Sequence, residues 1–298
     1  MPHIRIISPS GAIDPHLIDL ASTRLQEWGF VVTEGRYTRS HYGRFAATDE
    51  QRLSDLMDAL TDSTVDAILC ARGGYGLQRL LPDIHVRIEK PIIGFSDITA
   101  LHQLAALHHQ PTLHSIMCKH LATLPEESET LALTRQALTS LLQASPMPSF
   151  SPSGVLQASP MPSFSRPGTA TGTLIGGNLS VLYGLQGTPY SLTHVIDHLD
   201  NAPILFIEDI AERHYHIDRM MRNLKMSGVL ERISGLVVGQ FTDCDEDPGM
   251  NETIHETIYA AVREYTYPVL FDYPAGHTER NLPLLLNTTY TLCVDPKK

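Results

Sequence analysis

The sequence has 298 residues, enough for one large domain or two of ordinary size, and its apolar content of 42% can form a sizeable core. A formal net charge of −11 argues against nucleic acid as a partner. An anionic substrate would therefore need local arginine or lysine. The sequence has no run of eighteen apolar residues that would predict a membrane span. Residues 1–8 resemble a first strand rather than a signal peptide, so we expect a cytoplasmic protein.

The cysteines are scattered along the chain without the paired spacing of zinc ligands. They are Cys70, Cys118, Cys244 and Cys293. This distribution predicts reduced, mostly buried thiols rather than disulfides or a metal site.

The N-terminal region alternates predicted strands with predicted helices. The predicted strands are residues 4–8, 30–34, 65–71 and 91–95. Asp14 followed by Pro15 is typical of a helix N-terminus, and Thr48 with Gln51 resembles a capping box. This order predicts an α/β domain of the flavodoxin or Rossmann type, with a parallel sheet covered by helices on both faces.

A tandem duplication interrupts the pattern. Residues 142–155 read LQASPMPSFSPSGV and residues 156–169 read LQASPMPSFSRPGT. The segment is rich in proline and serine, which excludes a helix interior. We interpret residues 139–169 as a linker lengthened by local duplication, with a lid or a docking segment as the alternative. The predicted domains are residues 1–138 and 170–298.

The C-terminal region returns to alternating elements, which predicts a second α/β domain. Its predicted strands are residues 171–175, 203–207, 235–241, 268–271 and 289–294, and its predicted helices begin at 179, 216 and 252. Residues 176–178, Gly-Gly-Asn, are predicted to form a loop.

Candidate catalytic residues follow two neighbouring predicted strands of the first domain. The strand ending at Ala71 is followed by Arg72-Gly73-Gly74-Tyr75-Gly76, and the strand ending at Phe95 is followed by Ser96. Consecutive strand ends of a parallel sheet lie side by side, where ligands bind. A glycine-rich loop exposes backbone N–H groups, and a hydroxyl beside such donors is suited to acyl transfer. The loop does not match phosphate or dinucleotide motifs.

Two strand ends in the second domain offer a carboxylate and an imidazole. Glu208 follows one predicted strand, and His277 follows another. Ser96, Glu208 and His277 are the residue types of a hydrolytic triad. Each has a simpler interpretation: Ser96 as a helix N-cap, Glu208-Asp209 as a surface turn, and His277 as an exposed loop residue.

Motifs along nearly the whole chain resemble the serine LD-carboxypeptidases, a family that includes the microcin C self-immunity peptidases. The motifs are Ser8-Pro9-Ser10-Gly11, residues 48–52 (TDEQR), residues 66–76 (DAILCARGGYG), residues 93–101 (IGFSDITAL), residues 174–179 (LIGGNL), residues 205–209 (LFIED), residues 217–220 (IDRM), residues 239–244 (GQFTDC) and Gly276-His277.

The resemblance implies a triad of Ser96, Glu208 and His277, with an oxyanion hole formed by the backbone N–H groups of Asp97 and Gly74. It implies substrate contacts from the glycine loop, through Arg72, Gly73 and Tyr75, and from Arg219. Arg72 and Arg219 are both candidates for binding the substrate carboxylate. No metal or organic cofactor is expected.

The resemblance also implies a cytoplasmic homodimer that removes the terminal D-alanine of murein tetrapeptides during peptidoglycan recycling. Two alternatives stay open: hydrolysis of peptide–nucleotide conjugates, as in microcin C self-immunity, and a non-catalytic muropeptide-binding protein. Residues 113–116, Leu-His-Ser-Ile, stand where family members often have His-Gly-Pro, which puts the substrate wall there in doubt.

Overall fold

The computed structural model describes residues 1–143, 155–157 and 164–295. The chain divides into two compact units. The first contains the described part of Met1–Phe150 together with Glu279–Leu286, and the second contains the described part of Ser151–Thr278 together with Asn287–Lys298. The sequence assigned all of 170–298 to the second domain. Residues 279–286 instead join the first unit, because they supply a strand to its sheet.

The first unit contains a mostly parallel sheet with the order β11-β5-β4-β3-β1-β2. The strands are β1 (His3–Ile7), β2 (Val31–Glu34), β3 (Ala67–Cys70), β4 (Ile92–Gly94), β5 (Thr112–His114) and β11 (Leu284–Leu286). The first five pair in parallel and β11 pairs with β5 in the antiparallel sense. The order 2-1-3-4-5 is that of flavodoxin-like folds, so the predicted fold class is confirmed.

Helices flank this sheet and bury an apolar core against it. They are α1 (Pro15–Glu27), α2 (Asp49–Thr61), α3 (Thr99–Leu107), α4 (Cys118–Thr123) and α5 (Glu129–Gln143). The predicted caps are present: Asp14 accepts from the His16 N–H, and Thr48 and Gln51 form a reciprocal capping box. The core includes Ile4, Ile6, Ile18, Leu25, Leu69, Leu113 and Leu138.

The second unit contains a sheet with the order β10-β9-β8-β7-β12-β6. Its strands are β6 (Val155–Leu156), β7 (Gly168–Asn178), β8 (Ile204–Ile210), β9 (Gly235–Thr242), β10 (Val269–Leu270) and β12 (Thr289–Val294). β7 to β10 pair in parallel, and β12 is antiparallel to β7. The helices are α6 (Leu179–Gly184), α7 (Leu192–Asp197), α8 (His214–Met226) and α9 (Ile254–Val262).

β7 and β8 both continue past their predicted C-terminal ends. Residues 176–178 continue β7 rather than forming a loop, because β7 pairs with β8 as far as Asn178 opposite Glu208. Glu208 therefore lies inside β8 rather than beyond its end.

Most of the predicted linker, residues 139–169, lies outside the described residues. Its described ends are regular: α5 continues to Gln143, and β7 begins at Gly168. Within the described ranges, no helix is long and apolar enough to cross a membrane, and no group of three or more His, Cys, Asp or Glu side chains is arranged to hold a metal ion.

Candidate active site

Ser96 has a strained backbone. It follows β4 and begins a short 3-10 helix, Ser96–Ile98, that leads into α3. Its φ of 65° lies in the left-handed region, which costs a residue with a side chain about 1–2 kcal/mol. Neither this short helix nor α3 has a side-chain cap within the described residues, so the N-cap interpretation of Ser96 is wrong. Strain of this kind concentrates at functional sites.

The glycine loop after β3 packs directly against Ser96. A Cβ atom at Gly73 would lie 2.8 Å from the Ser96 Cβ and 3.0 Å from its Oγ, so only glycine fits. The Gly73 carbonyl also accepts a hydrogen bond of 3.0 Å from the Gly11 N–H. The loops after β1 and β3 are thereby tied to each other beside the serine hydroxyl.

Asp97 fixes the backbone that follows Ser96. Its buried carboxylate accepts hydrogen bonds from the Ser10 hydroxyl, at 2.6 Å, and from the Leu77 N–H, at 2.9 Å. Burial raises the pKa of Asp97, and these two donors lower it. The sequence assigned Asp97 only through its backbone N–H. The side chain has a separate role, because it joins the loops that follow β1, β3 and β4.

The sequence predicted no role for Arg52, a buried residue that holds the same loops in place. Its guanidinium donates to the carbonyls of Pro9 and of Gly76, the latter at 3.2 Å, and pairs with Asp49. The side chain is completely buried and its charge lies over the Phe45 ring. Its position in the motif of residues 48–52 was the available signal. A buried arginine that satisfies loop carbonyls holds those loops in one conformation.

Glu208, which is fully buried, and His277, which is partly buried, form a hydrogen-bonded pair in the second unit. The Glu208 Oε2 lies 2.7 Å from the His277 Nδ1, and the two side chains are 0% and 14% exposed. An ionised carboxylate accepts, so the proton of the neutral imidazole is on Nδ1 and Nε2 is left as the basic nitrogen. The surface-turn interpretation of Glu208-Asp209 is wrong, since both side chains are buried.

Two unusual backbone features lie next to the Glu208–His277 pair. β9 has one extra residue opposite Glu208, a bulge between the pairs made by Ile207 and Asp209. Bulges re-aim side chains and are common beside active sites. Gly276 has a φ of +131°, and a Cβ there would lie 3.0 Å from the Glu208 Oε2. A side chain at Gly276 would therefore press on the carboxylate that holds His277.

Asp209 is a second buried carboxyl beside Glu208. It accepts from the Asn178 amide at 2.9 Å, the Ser180 N–H at 2.8 Å and the Ile210 N–H at 2.9 Å. Burial, and next the charge of Glu208, raise the pKa of Asp209 to about 7, while these donors act in the opposite direction. Asp209 thus holds the N-terminus of α6 against β8.

Three of the predicted substrate-binding residues line clefts, each of which lies within one unit. Arg72 and Tyr75, with the proposed oxyanion donor Gly74, line a cleft of about 770 Å³ in the first unit. Arg219 lines a smaller cleft of about 170 Å³ in the second unit, with its charge 5.5 Å from the centre of the Tyr215 ring. Gly73 faces Ser96 instead.

The segment that departs from the family pattern forms part of the first sheet. His114 ends β5 and is fully buried. Its ring lies 5.7 Å from that of Phe95, the residue before Ser96. The segment that departs from the family pattern therefore packs against the residue that precedes Ser96.

Comparisons with known proteins agree with this architecture. Residues 4–115 match the profile of the LD-carboxypeptidase N-terminal domain, and residues 171–292 match that of the C-terminal domain. A probable murein peptide carboxypeptidase of Bacillus subtilis is 32% identical over 92% of this chain and 83% of its own length. The murein tetrapeptide carboxypeptidase of Pseudomonas aeruginosa is 30% identical over 93% and 89%.

Solved structures give the same result. The muramoyltetrapeptide carboxypeptidase of Oxalobacter formigenes superimposes with a TM-score of 0.81 at 28% identity, covering 98% of this chain and 94% of that one. These matches define the chain as a hydrolase of the serine carboxypeptidase type. It belongs to the LD-carboxypeptidase family.

Proposed function

We propose that this protein is a serine carboxypeptidase that cleaves the L,D bond before the terminal D-alanine of murein tetrapeptides. The observation that supports it best is the buried Glu208, whose Oε2 lies 2.7 Å from the His277 Nδ1. A glutamate in this position makes histidine a stronger general base. The strained Ser96 and the substrates in the names of the two bacterial relatives point in the same direction.

In the proposed mechanism the His277 Nε2 takes the proton of Ser96 as the Ser96 Oγ attacks the scissile carbonyl carbon. Glu208 holds the imidazole and offsets the positive charge that it gains. The backbone N–H groups of Asp97 and Gly74 donate to the oxyanion, and loss of one such donor typically costs about 100–1000-fold in rate.

The second half of the reaction reverses the proton transfer. His277 gives its proton to the amino group of the leaving D-alanine, and the acyl group stays on Ser96. Water, deprotonated by His277, then attacks the ester carbon; the bond to the Ser96 Oγ breaks, His277 returns the proton to that oxygen, and the tripeptide is released. We further propose a cytoplasmic location and a homodimer; light scattering on the purified protein tests the second.

The test is release of D-alanine from L-Ala-γ-D-Glu-meso-diaminopimelyl-D-Ala, followed by mass spectrometry and chiral analysis. Wild-type protein is expected to release D-alanine and Ser96→Ala is expected to release none. A tetrapeptide that survives intact with the wild type would overturn the murein assignment. It would also favour a non-catalytic binding protein if the peptide still binds.

A second candidate activity is hydrolysis of peptide–nucleotide conjugates. Tyr75 supplies the observation that favours it: this residue of the glycine loop is 55% exposed, and a base could stack on its ring. The Microcin C7 self-immunity protein of Escherichia coli is 25% identical over 92% of this chain and 84% of its own length. An aminoacyl sulfamoyl adenosine tested beside the tetrapeptide compares the two substrates directly.

A further inference from the structure

The cleft of about 770 Å³ in the first unit lies where the sheet order reverses. β1 is followed by β2 on one side and β3 on the other, and the loops after β1 and β3 both line the cleft. Ligands of open α/β sheets bind at this point, outside the carboxyl ends of the strands. The cleft also includes Gly74, the proposed oxyanion donor.

Three arginines line this cleft, and their charges are not equally neutralised. Arg39 pairs with Asp19 and Glu34, both at 2.6 Å. Arg72 donates to the Ala12 carbonyl at 2.6 Å, a neutral partner.

Arg44 is exposed and makes no hydrogen bond or ion pair to any residue that the structure describes. Asp14 also lines the cleft, and its Oδ1 accepts from the His16 N–H. Of the described residues that line the cleft, Asp14 is the only acidic one, so Arg44 and Arg72 outnumber it and leave the lining positive in a chain whose net charge is −11.

Backbone contacts hold both arginines beside the glycine loop. Gly11 donates to the Gly73 carbonyl and forms an isolated β-bridge with Phe45, the residue after Arg44. A Cβ at Gly11 would lie 3.6 Å from the Arg44 carbonyl oxygen and 3.8 Å from the Arg72 Cδ. The Arg44 main chain and the Arg72 side chain thus both lie beside Gly11, close to the backbone that is proposed to bind the oxyanion.

We infer that Arg44 and Arg72 form a binding subsite for the terminal carboxylate of the substrate, an inference that rests on the proposed function. In a carboxypeptidase substrate this carboxylate is one residue from the scissile carbonyl, so its subsite must adjoin the oxyanion donors. Arginine binds carboxylates through two parallel hydrogen bonds. Arg44 is the specificity-determining residue, because the described residues leave its guanidinium unoccupied.

The test measures binding without turnover, in full-length protein that carries Ser96→Ala. Isothermal titration compares L-Ala-γ-D-Glu-meso-diaminopimelyl-D-Ala with the same peptide ending in D-alaninamide. Adding Arg44→Ala should weaken binding of the free acid by about 10- to 100-fold, the usual effect of losing a charged hydrogen bond. The amide should lose less than about 2-fold. Arg44→Lys keeps the charge and should lie between the two.

The matched control is Arg135→Ala, which removes the same charge from the exposed face of α5 in the same unit. It should leave binding unchanged. An equal loss with Arg135→Ala would indicate a long-range charge effect and overturn the subsite. The subsite would also be overturned if Arg44→Ala weakened binding of the free acid and of the amide equally. It would be overturned too if the Ser96→Ala protein showed no measurable binding of the free acid. A third peptide, with D-isoglutamine in place of D-glutamate, overturns the terminal assignment if it removes the Arg44 dependence.

The two proposals fail in distinguishable ways. If the wild type releases no D-alanine but binding depends on Arg44 and on the terminal carboxylate, the proposed function fails and the subsite stands. If the wild type releases D-alanine and Arg44→Ala binds the free acid normally, the proposed function stands and the subsite fails. Circular dichroism and Arg44→Lys show whether a loss reflects unfolding.

Discussion

The two units build their parts of the proposed triad by different means. In the first, backbone conformation positions the serine: Ser96 has a φ of 65°, and Gly73 leaves no space for a side chain. In the second, a hydrogen bond to the buried Glu208 of β8 orients His277, which lies in the loop that follows β10. The comparison teaches that the proposed nucleophile is held by its own backbone conformation, whereas the proposed base is held by a buried partner carboxylate.

Ser96→Ala should have the largest effect on activity, a loss of at least about 10⁴-fold, because no other hydroxyl would take its place. Comparing Ser96→Ala with Ser96→Gly measures the cost of the left-handed backbone conformation at this position. Both variants should be inactive, but glycine accepts the left-handed conformation, so Ser96→Gly should be about 1 kcal/mol more stable than Ser96→Ala. Urea unfolding measures this difference. Equal stability would show that the strain at Ser96 is no larger than the entropy cost that glycine adds through the unfolded state.

Glu208→Gln should lower kcat by about 10³- to 10⁴-fold, because a neutral amide neither fixes the His277 tautomer nor stabilises the imidazolium. Steady-state kinetics with the tetrapeptide measures it. Asp272→Asn is the matched control, since Asp272 pairs with His255 at 2.7 Å in the same unit but more exposed. A loss with the control as large as with Glu208→Gln would contradict a specific role for Glu208.

Gly73→Ala should lower activity by about 100-fold, because the new Cβ would displace Ser96 from its position. It should also cost about 1–3 kcal/mol of stability through overpacking. Gly187→Ala serves as the comparison: Gly187 has a φ of +76° and nothing within 4 Å of an added Cβ. If Gly73→Ala keeps full activity, close packing of the loop on Ser96 does not matter for turnover.

The smallest expected effect is a pH dependence of stability that arises from Asp209. Its folded pKa of about 7 lies above the ordinary value of 3.8, so the folded state binds the extra proton. This contribution to stability is present below about pH 4 and is lost as the pH rises through 7. The temperature of thermal unfolding should therefore fall more between pH 5 and pH 8 for the wild type than for Asp209→Asn. Parallel decreases would mean that Asp209 is ionised throughout.

Local features were predictable from the sequence, because their physical cause lies within a few residues. Asp14 with Pro15, and Thr48 with Gln51, form the predicted helix caps. The alternation of strands and helices predicted β1 to β4 of the first sheet and their parallel arrangement, since short parallel connections leave few topologies.

Features that depend on distant residues were missed. β11 is three residues long and is a strand only because β5, more than 160 residues earlier, offers an edge. The depth of Glu208 within β8 depends on pairing with β7 and on the bulge in β9. Ser10 and Arg52 stood in recognised motifs, but their roles depend on a buried carboxylate and on loop carbonyls that come together only in the fold. The roles of Ser96, Glu208 and His277 stay proposals that the variants above test.

The return of Glu279–Leu286 to the first unit has a consequence for biosynthesis. During translation, β5 emerges long before β11, so an open sheet edge persists until Leu284–Leu286 have left the ribosome. An unpaired edge is a template for pairing with another chain. The first sheet is therefore completed only after the residues of the Glu208–His277 pair have been made, and a message truncated after residue 278 would encode an aggregation-prone product.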